Sequence, residues 1–70
     1  MSKIRDSYDL LLYISKNNGV LHLLSNTHLE LGISTDVLEN HLLDLETKGY
    51  IKRYIRSCGI TSDGKDFLNS

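Results

Sequence analysis

The sequence predicts a mainly α-helical fold carrying one small β-hairpin, built as a single domain over residues 1–70. Three observations predict it. Leu38, Leu42 and Leu45 recur at i, i+4 and i+7 between Ser34 and Gly49, which is the spacing of one helix face. Tyr50-Ile-Lys-Arg-Tyr-Ile-Arg56 is rich in β-branched and aromatic residues, as a strand requires. Ile60-Thr-Ser-Asp-Gly-Lys-Asp-Phe-Leu68 then places capping hydroxyls at Thr61 and Ser62 directly ahead of a short helical segment.

Taken in order, the first helix is expected from about Ile4 to Lys16, with Ile4, Tyr8, Leu11 and Ser15 on one stripe. Asn17-Asn18-Gly19 tolerates left-handed backbone and stops it. Leu10 to Ile14 is a continuous apolar run, wider than the stripe of a solvent-facing helix. Two readings stand: a helix caged by its neighbours, or a dimer surface. Val20 to Leu24 reads as a short strand, and Ser25 to Leu31 as a second helix closed by Gly32. Ser34 caps a third helix that runs to about Lys48 and ends at Gly49. A glycine turn between two helices makes a helix-turn-helix. Ser57-Cys58-Gly59 is the expected hairpin turn, its tip placed to within about two residues, and the final helix runs through Leu68. Phe67 and Leu68 are expected to fold back on the first helix, because three small helices leave apolar faces open.

Thirteen leucines and six isoleucines must form the core, since the chain has no alanine, proline or tryptophan and a single cysteine. The polar start, Met1-Ser-Lys-Ile-Arg, is unlike a signal peptide, and Leu10 to Ile14 is too short to span a bilayer. A cytoplasmic protein is therefore expected. The net charge of −1 gives no general attraction for nucleic acid, but its distribution is uneven. Asn17 to Thr47 holds five acids and no lysine or arginine. Lys48, Lys52, Arg53 and Arg56 then follow without an acid among them.

Leu42-Leu-Asp-Leu-Glu-Thr-Lys-Gly-Tyr-Ile51, followed after eight residues by Ile60-Thr61…Gly64…Phe67-Leu68, resembles the winged helix-turn-helix domains of small archaeal and prokaryotic regulators. The resemblance implies a sequence-specific transcriptional regulator that binds double-stranded DNA as a homodimer, in the nucleoid. The helix at about 34–48 would lie in the major groove and the wing at about 50–61 on the backbone. The helical step of 100° puts Asp36, Asn40, Leu43 and Thr47 opposite the leucine stripe, with Glu39 flanking. Asn40 then reads adenine and Leu43 meets a thymine methyl. Ser34 and Thr35 bond a phosphate at the helix start. Lys48, Lys52, Arg53 and Arg56 neutralise phosphates, and Tyr54 adds a hydroxyl contact.

The sequence departs from that family at two points. Its third helix is acidic, carrying Asp36, Glu39, Asp44 and Glu46, and His28 stands where a small residue is usual four before the turn glycine. The acids leave a second reading open: an interaction module that docks a basic protein partner through this helix. The basic cluster is equally readable as a solvated edge that protects the hairpin from aggregation. His22, His28 and His41 share no i, i+4 pair and lie far from Cys58, so no metal or cofactor is expected. Cys58 reads as a reduced thiol near the wing, or as a disulfide across a dimer in an oxidising or hyperthermophilic setting. No nucleophile–base set or phosphate-cradling glycine loop is present, so an enzyme is not expected. The residue usage, poor in alanine and proline, fits an AT-rich genome such as that of an archaeon or one of its viruses.

Overall fold

The computed structural model describes residues 4–70, so the polar start of the chain, Met1 to Lys3, lies outside the described residues. The element order is α1 (Ser7–Lys16), β1 (Val20–His22), α2 (Thr27–Leu31), α3 (Thr35–Thr47), β2 (Ile51–Arg53), β3 (Ser57–Ile60) and α4 (Ser62–Asn69). Four helices thus pack with a three-stranded antiparallel sheet of order β1-β3-β2. No helix among the described residues is long and apolar enough to cross a membrane.

α1 begins three residues later than the apolar stripe suggested. The Asp6 carboxylate accepts the Asp9 N–H at 2.9 Å and so sets the start, while Ile4 is buried ahead of the helix. Leu10, Leu11 and Ile14 are completely buried and Leu12 and Tyr13 half-buried, so most of the wide apolar surface of α1 is caged by its neighbours. Ser34 caps α3 as expected, its hydroxyl accepting the Val37 N–H at 3.2 Å. α3 stops where Gly49 takes φ +80°, with the Tyr50 N–H donating to the Leu45 carbonyl at 2.9 Å. Leu38, Leu42 and Leu45 all enter the core beside Leu10, Leu11, Ile14, Leu31 and Ile51.

The sheet corrects the expected hairpin. Ser57, Cys58 and Gly59 form the central strand rather than its turn, pairing with His22, Leu21 and Val20 on one side. On the other side Arg53, Lys52 and Ile51 pair with Cys58, Gly59 and Ile60. The turn falls at Ile55-Arg56, closed by the Tyr54 N–H donating to the Ser57 carbonyl at 2.8 Å. Neither turn residue has positive φ, so this is not the primed turn usual in two-residue hairpins. The turn is steadied from outside, because the Leu23 N–H donates to the Arg56 carbonyl at 2.7 Å.

Cys58 is fully buried in the sheet, which removes it from any exposed wing surface and from a disulfide across a dimer. Burial pushes its thiol up from 9.0 to about 11, against the pull of the Arg53 charge and a backbone hydrogen bond from Leu21. The folded protein therefore keeps a proton that the unfolded chain releases above pH 9.0. Stability from this group is complete below that value and declines as pH rises toward 11. Alkylation of Cys58 by iodoacetamide is expected to be at least 100-fold (~10²) slower in the native protein than in urea at mildly alkaline pH. Equal rates in both states would place the thiol at the surface.

α4 leaves the sheet as the terminal motif suggested. Thr61 Oγ1 accepts the Gly64 N–H at 3.1 Å and donates to the Gly49 carbonyl at 2.6 Å. Phe67 stacks on Tyr50 at 4.6 Å between ring centroids and meets Tyr8 of α1 edge-on at 5.9 Å. Leu68 packs against the core. The chain thus folds back on α1, as the open apolar faces required.

Candidate nucleic-acid interface

α3 offers one exposed face. Asp36, Asn40, Leu43 and Thr47 are all exposed, opposite the buried leucine stripe, and Leu43 leaves more than half of its surface to solvent. Ser34 and Thr35 are exposed at the head of that face. The Ser34 hydroxyl spends its lone pair on the cap, so its proton stays available to an acceptor such as phosphate oxygen.

The basic cluster does not act as one unit. Alternation along β2 separates neighbours onto opposite sides of the sheet. Arg53 lies across from buried Cys58 and two residues after buried Ile51, so its side chain sits on the helix-facing side. There it donates to Glu39 of α3 with both nitrogens, Nη2 to Oε1 at 3.0 Å and Nη1 to Oε2 at 3.1 Å. Lys52 lies on the opposite face, across from Gly59. Tyr54, just before the turn, and Arg56, within it, are exposed. Lys52 and Arg56 make no ion pair among the described residues.

Lys48 is also engaged. Its ammonium meets Asp44 Oδ2 at 3.2 Å, and the same oxygen accepts the Ser7 hydroxyl of α1 at 2.8 Å. These two bonds, Ser7 first, hold the Asp44 carboxyl below its ordinary pKa. Lys48 therefore sits on the α1 side of α3, engaged with Asp44 instead of standing free in the basic cluster where sequence reasoning had placed it.

The acidity of α3 looks different once these pairs are drawn. Glu39 is matched by Arg53 and Asp44 by Lys48, leaving Asp36 and Glu46 without an ion pair among the described residues. From Ser34 to Ile60 the chain carries four acids (Asp36, Glu39, Asp44, Glu46) and four bases (Lys48, Lys52, Arg53, Arg56). The helix and hairpin together form a neutral unit with two free cations at its hairpin end.

Sequence reasoning missed Ile55. It stands at the hairpin turn 98% exposed, between Tyr54 and Arg56. Continued strand alternation from Ile51 and Arg53 would have turned it inward, and only the true turn position puts it at the tip. Leu24 and Leu29, around α2, are the other strongly exposed leucines beside Leu43.

Other chemistry finds little support in the geometry. No group of three or more histidine, cysteine or acidic side chains gathers as a metal site among the described residues. His22 is exposed, whereas His28 and His41 are half-buried, His41 beside the leucine stripe as its position in α3 suggested. A depression of about 200 Å³ near Tyr13, Leu21, Thr27 and Leu31, and another of about 180 Å³ near Ile4, Leu12 and Tyr13, are smaller than ordinary ligand pockets of roughly 300–1,000 Å³. No family model, curated protein or solved structure matches the chain.

Proposed function

We propose that the chain is a winged helix-turn-helix regulator of transcription that binds double-stranded DNA sequence-specifically, as a homodimer inside the cell. The observation that carries this reading is the joining of the exposed α3 face to the β2–β3 hairpin by the Glu39–Arg53 fork. A helix that can enter the major groove and a ribbon that can follow the neighbouring backbone are thereby presented together. The β1-β3-β2 order, with β1 inserted between α1 and α2, adds support.

In this reading Asn40 and Leu43 address base edges from α3. Ser34 and Thr35 meet a phosphate at the helix start. Lys52 and Arg56 grip phosphates from the hairpin, with Tyr54 and Ile55 at the tip between them. Two free cations per protomer give a modest electrostatic contribution, which is why two protomers on one duplex are required. The competing reading, an acidic helix that docks a basic protein, has less to draw on, because only Asp36 and Glu46 remain uncompensated on α3.

Fluorescence-anisotropy titrations of labelled duplexes at several salt concentrations test the proposal. Lys52→Ala with Arg56→Ala is expected to weaken binding to every duplex alike. It should also reduce the slope of log K against log salt by roughly 2 per protomer. Asn40→Ala should change sequence preference and leave that slope unaltered. A double variant that binds all duplexes as tightly as the parent would overturn the assignment.

A further inference from the structure

Glu39 was a flanking position on the α3 face, and a carboxylate there is at first sight an obstacle to DNA. Its environment says otherwise. Arg53 binds it through two parallel hydrogen bonds of 3.0 and 3.1 Å, a geometry that fixes the plane of the carboxylate as well as its position. The two side chains are unequally covered: Arg53 is 27% exposed and Glu39 60%. The guanidinium is thus the anchored partner, seated on the inner side of the sheet across from Cys58, and the carboxylate is presented to solvent.

Each carboxylate oxygen has about two acceptor positions. The arginine fork occupies one on each oxygen, so outward-facing capacity remains. Pairing also cancels the charge that would drive a lone carboxylate away from phosphates.

We propose that Glu39 is a specificity-determining residue whose carboxylate, held by Arg53, accepts a hydrogen bond from the exocyclic N4 amino group of cytosine in the major groove. This rests on the DNA-binding reading above. Cytosine follows from the acceptor-only chemistry of the group. Guanine presents N7 and O6, and thymine presents O4, all acceptors that repel a carboxylate. Adenine offers a donor at N6 but sets the N7 acceptor beside it. Arg53 is accordingly a positioning residue that orients the reader, in place of the direct phosphate contact expected from its position in the basic cluster. Asn40, the next residue on the helix, faces a neighbouring base edge.

Selection from a pool of randomised duplexes, followed by sequencing, tests this with the full chain, Glu39→Gln and Arg53→Lys. Thermal melts confirm that each variant is folded. The parent is expected to enrich cytosine at one position of its site. Glu39→Gln should lose that preference by about 5- to 150-fold at this position alone. Arg53→Lys keeps the charge but not the fork, so it should relax the same position while leaving the salt slope unchanged.

Retention of the cytosine preference by Glu39→Gln overturns the inference. So does an Arg53→Lys variant that loses affinity equally for all sequences with its base preference intact. A parent protein that binds no duplex in the anisotropy titrations refutes the underlying DNA-binding reading, which is a distinguishable result.

Discussion

Gly64→Ala is expected to destabilise the protein by about 3 kcal/mol, even though alanine is the better helix former by about 1 kcal/mol. Gly64 is buried in the first turn of α4, where the helix passes over the backbone of Tyr50. A methyl group there would overlap the Tyr50 carbonyl oxygen and crowd the side chain of Ile60. The oxygen cannot yield freely, because it accepts the Thr61 N–H at 2.9 Å. Relief requires α4 to lift, and lifting it breaks the Phe67–Tyr50 stack and uncovers that side of α1. A domain of this size is stable by roughly 4–10 kcal/mol, so the loss is a large share of the total. Circular-dichroism melts should show a fall in Tm of roughly 10 to 25 °C. An unchanged or raised Tm would mean that α4 does not sit against Tyr50.

Leu42→Ala is expected to have a similar or larger effect, about 2–5 kcal/mol. Leu42 lies at the middle of α3, is completely buried, and belongs to the cluster that joins α3 to Leu11 and Ile14 of α1 and Ile51 of β2. Truncation removes apolar burial and leaves a cavity that a core of this size has few side chains to fill. The neighbouring position supplies the control. Leu43 is 57% exposed, and Leu43→Ala should change stability by no more than about 0.5 kcal/mol. Urea denaturation of the two variants distinguishes the faces of α3 by a single step of the helix. Comparable losses at both positions would show that the helix is rotated from the orientation described.

α3 and α4 were the most legible elements, because their signals are local. Ser34, Gly49, Thr61 and the leucine triplet each act within one or two turns of helix, and each does in the structure what its type suggests. The start of α1 was also written locally, in Asp6 and Asp9, but the apolar Ile4 fitted the same stripe and drew the boundary outward. The hairpin turn was the clearest error. Ser57-Cys58-Gly59 has the residue types of a turn, and only the pairing with β1, far away in sequence, makes it the central strand. The short strand expected over Val20 to Leu24 is present as β1, Val20–His22, but three residues of pattern do not reveal that it joins the hairpin in one sheet.

The candidate interface divides along the same line. Helical periodicity alone exposes Asp36, Asn40, Leu43 and Thr47, so those residues could be read directly. That Arg53 turns toward Glu39 and Lys52 away from it depends on strand alternation combined with the packing of α3 on β2. Neither is visible to a count of charges. The separation of Lys48 from the exposed face depends likewise on Ser7, a residue of α1 with no charge of its own.

The position of β3 between the other two strands has a consequence for how the chain acquires its shape. β2 and β3 meet across a three-residue connection, whereas Val20 must find Gly59. The entropy lost in closing a loop grows with the logarithm of its length, so the short ribbon assembles ahead of the distant pairing. The pairing of β1, and with it the placing of α2, is therefore expected to follow the hairpin. The part of the molecule proposed to grip a duplex is also its kinetic seed.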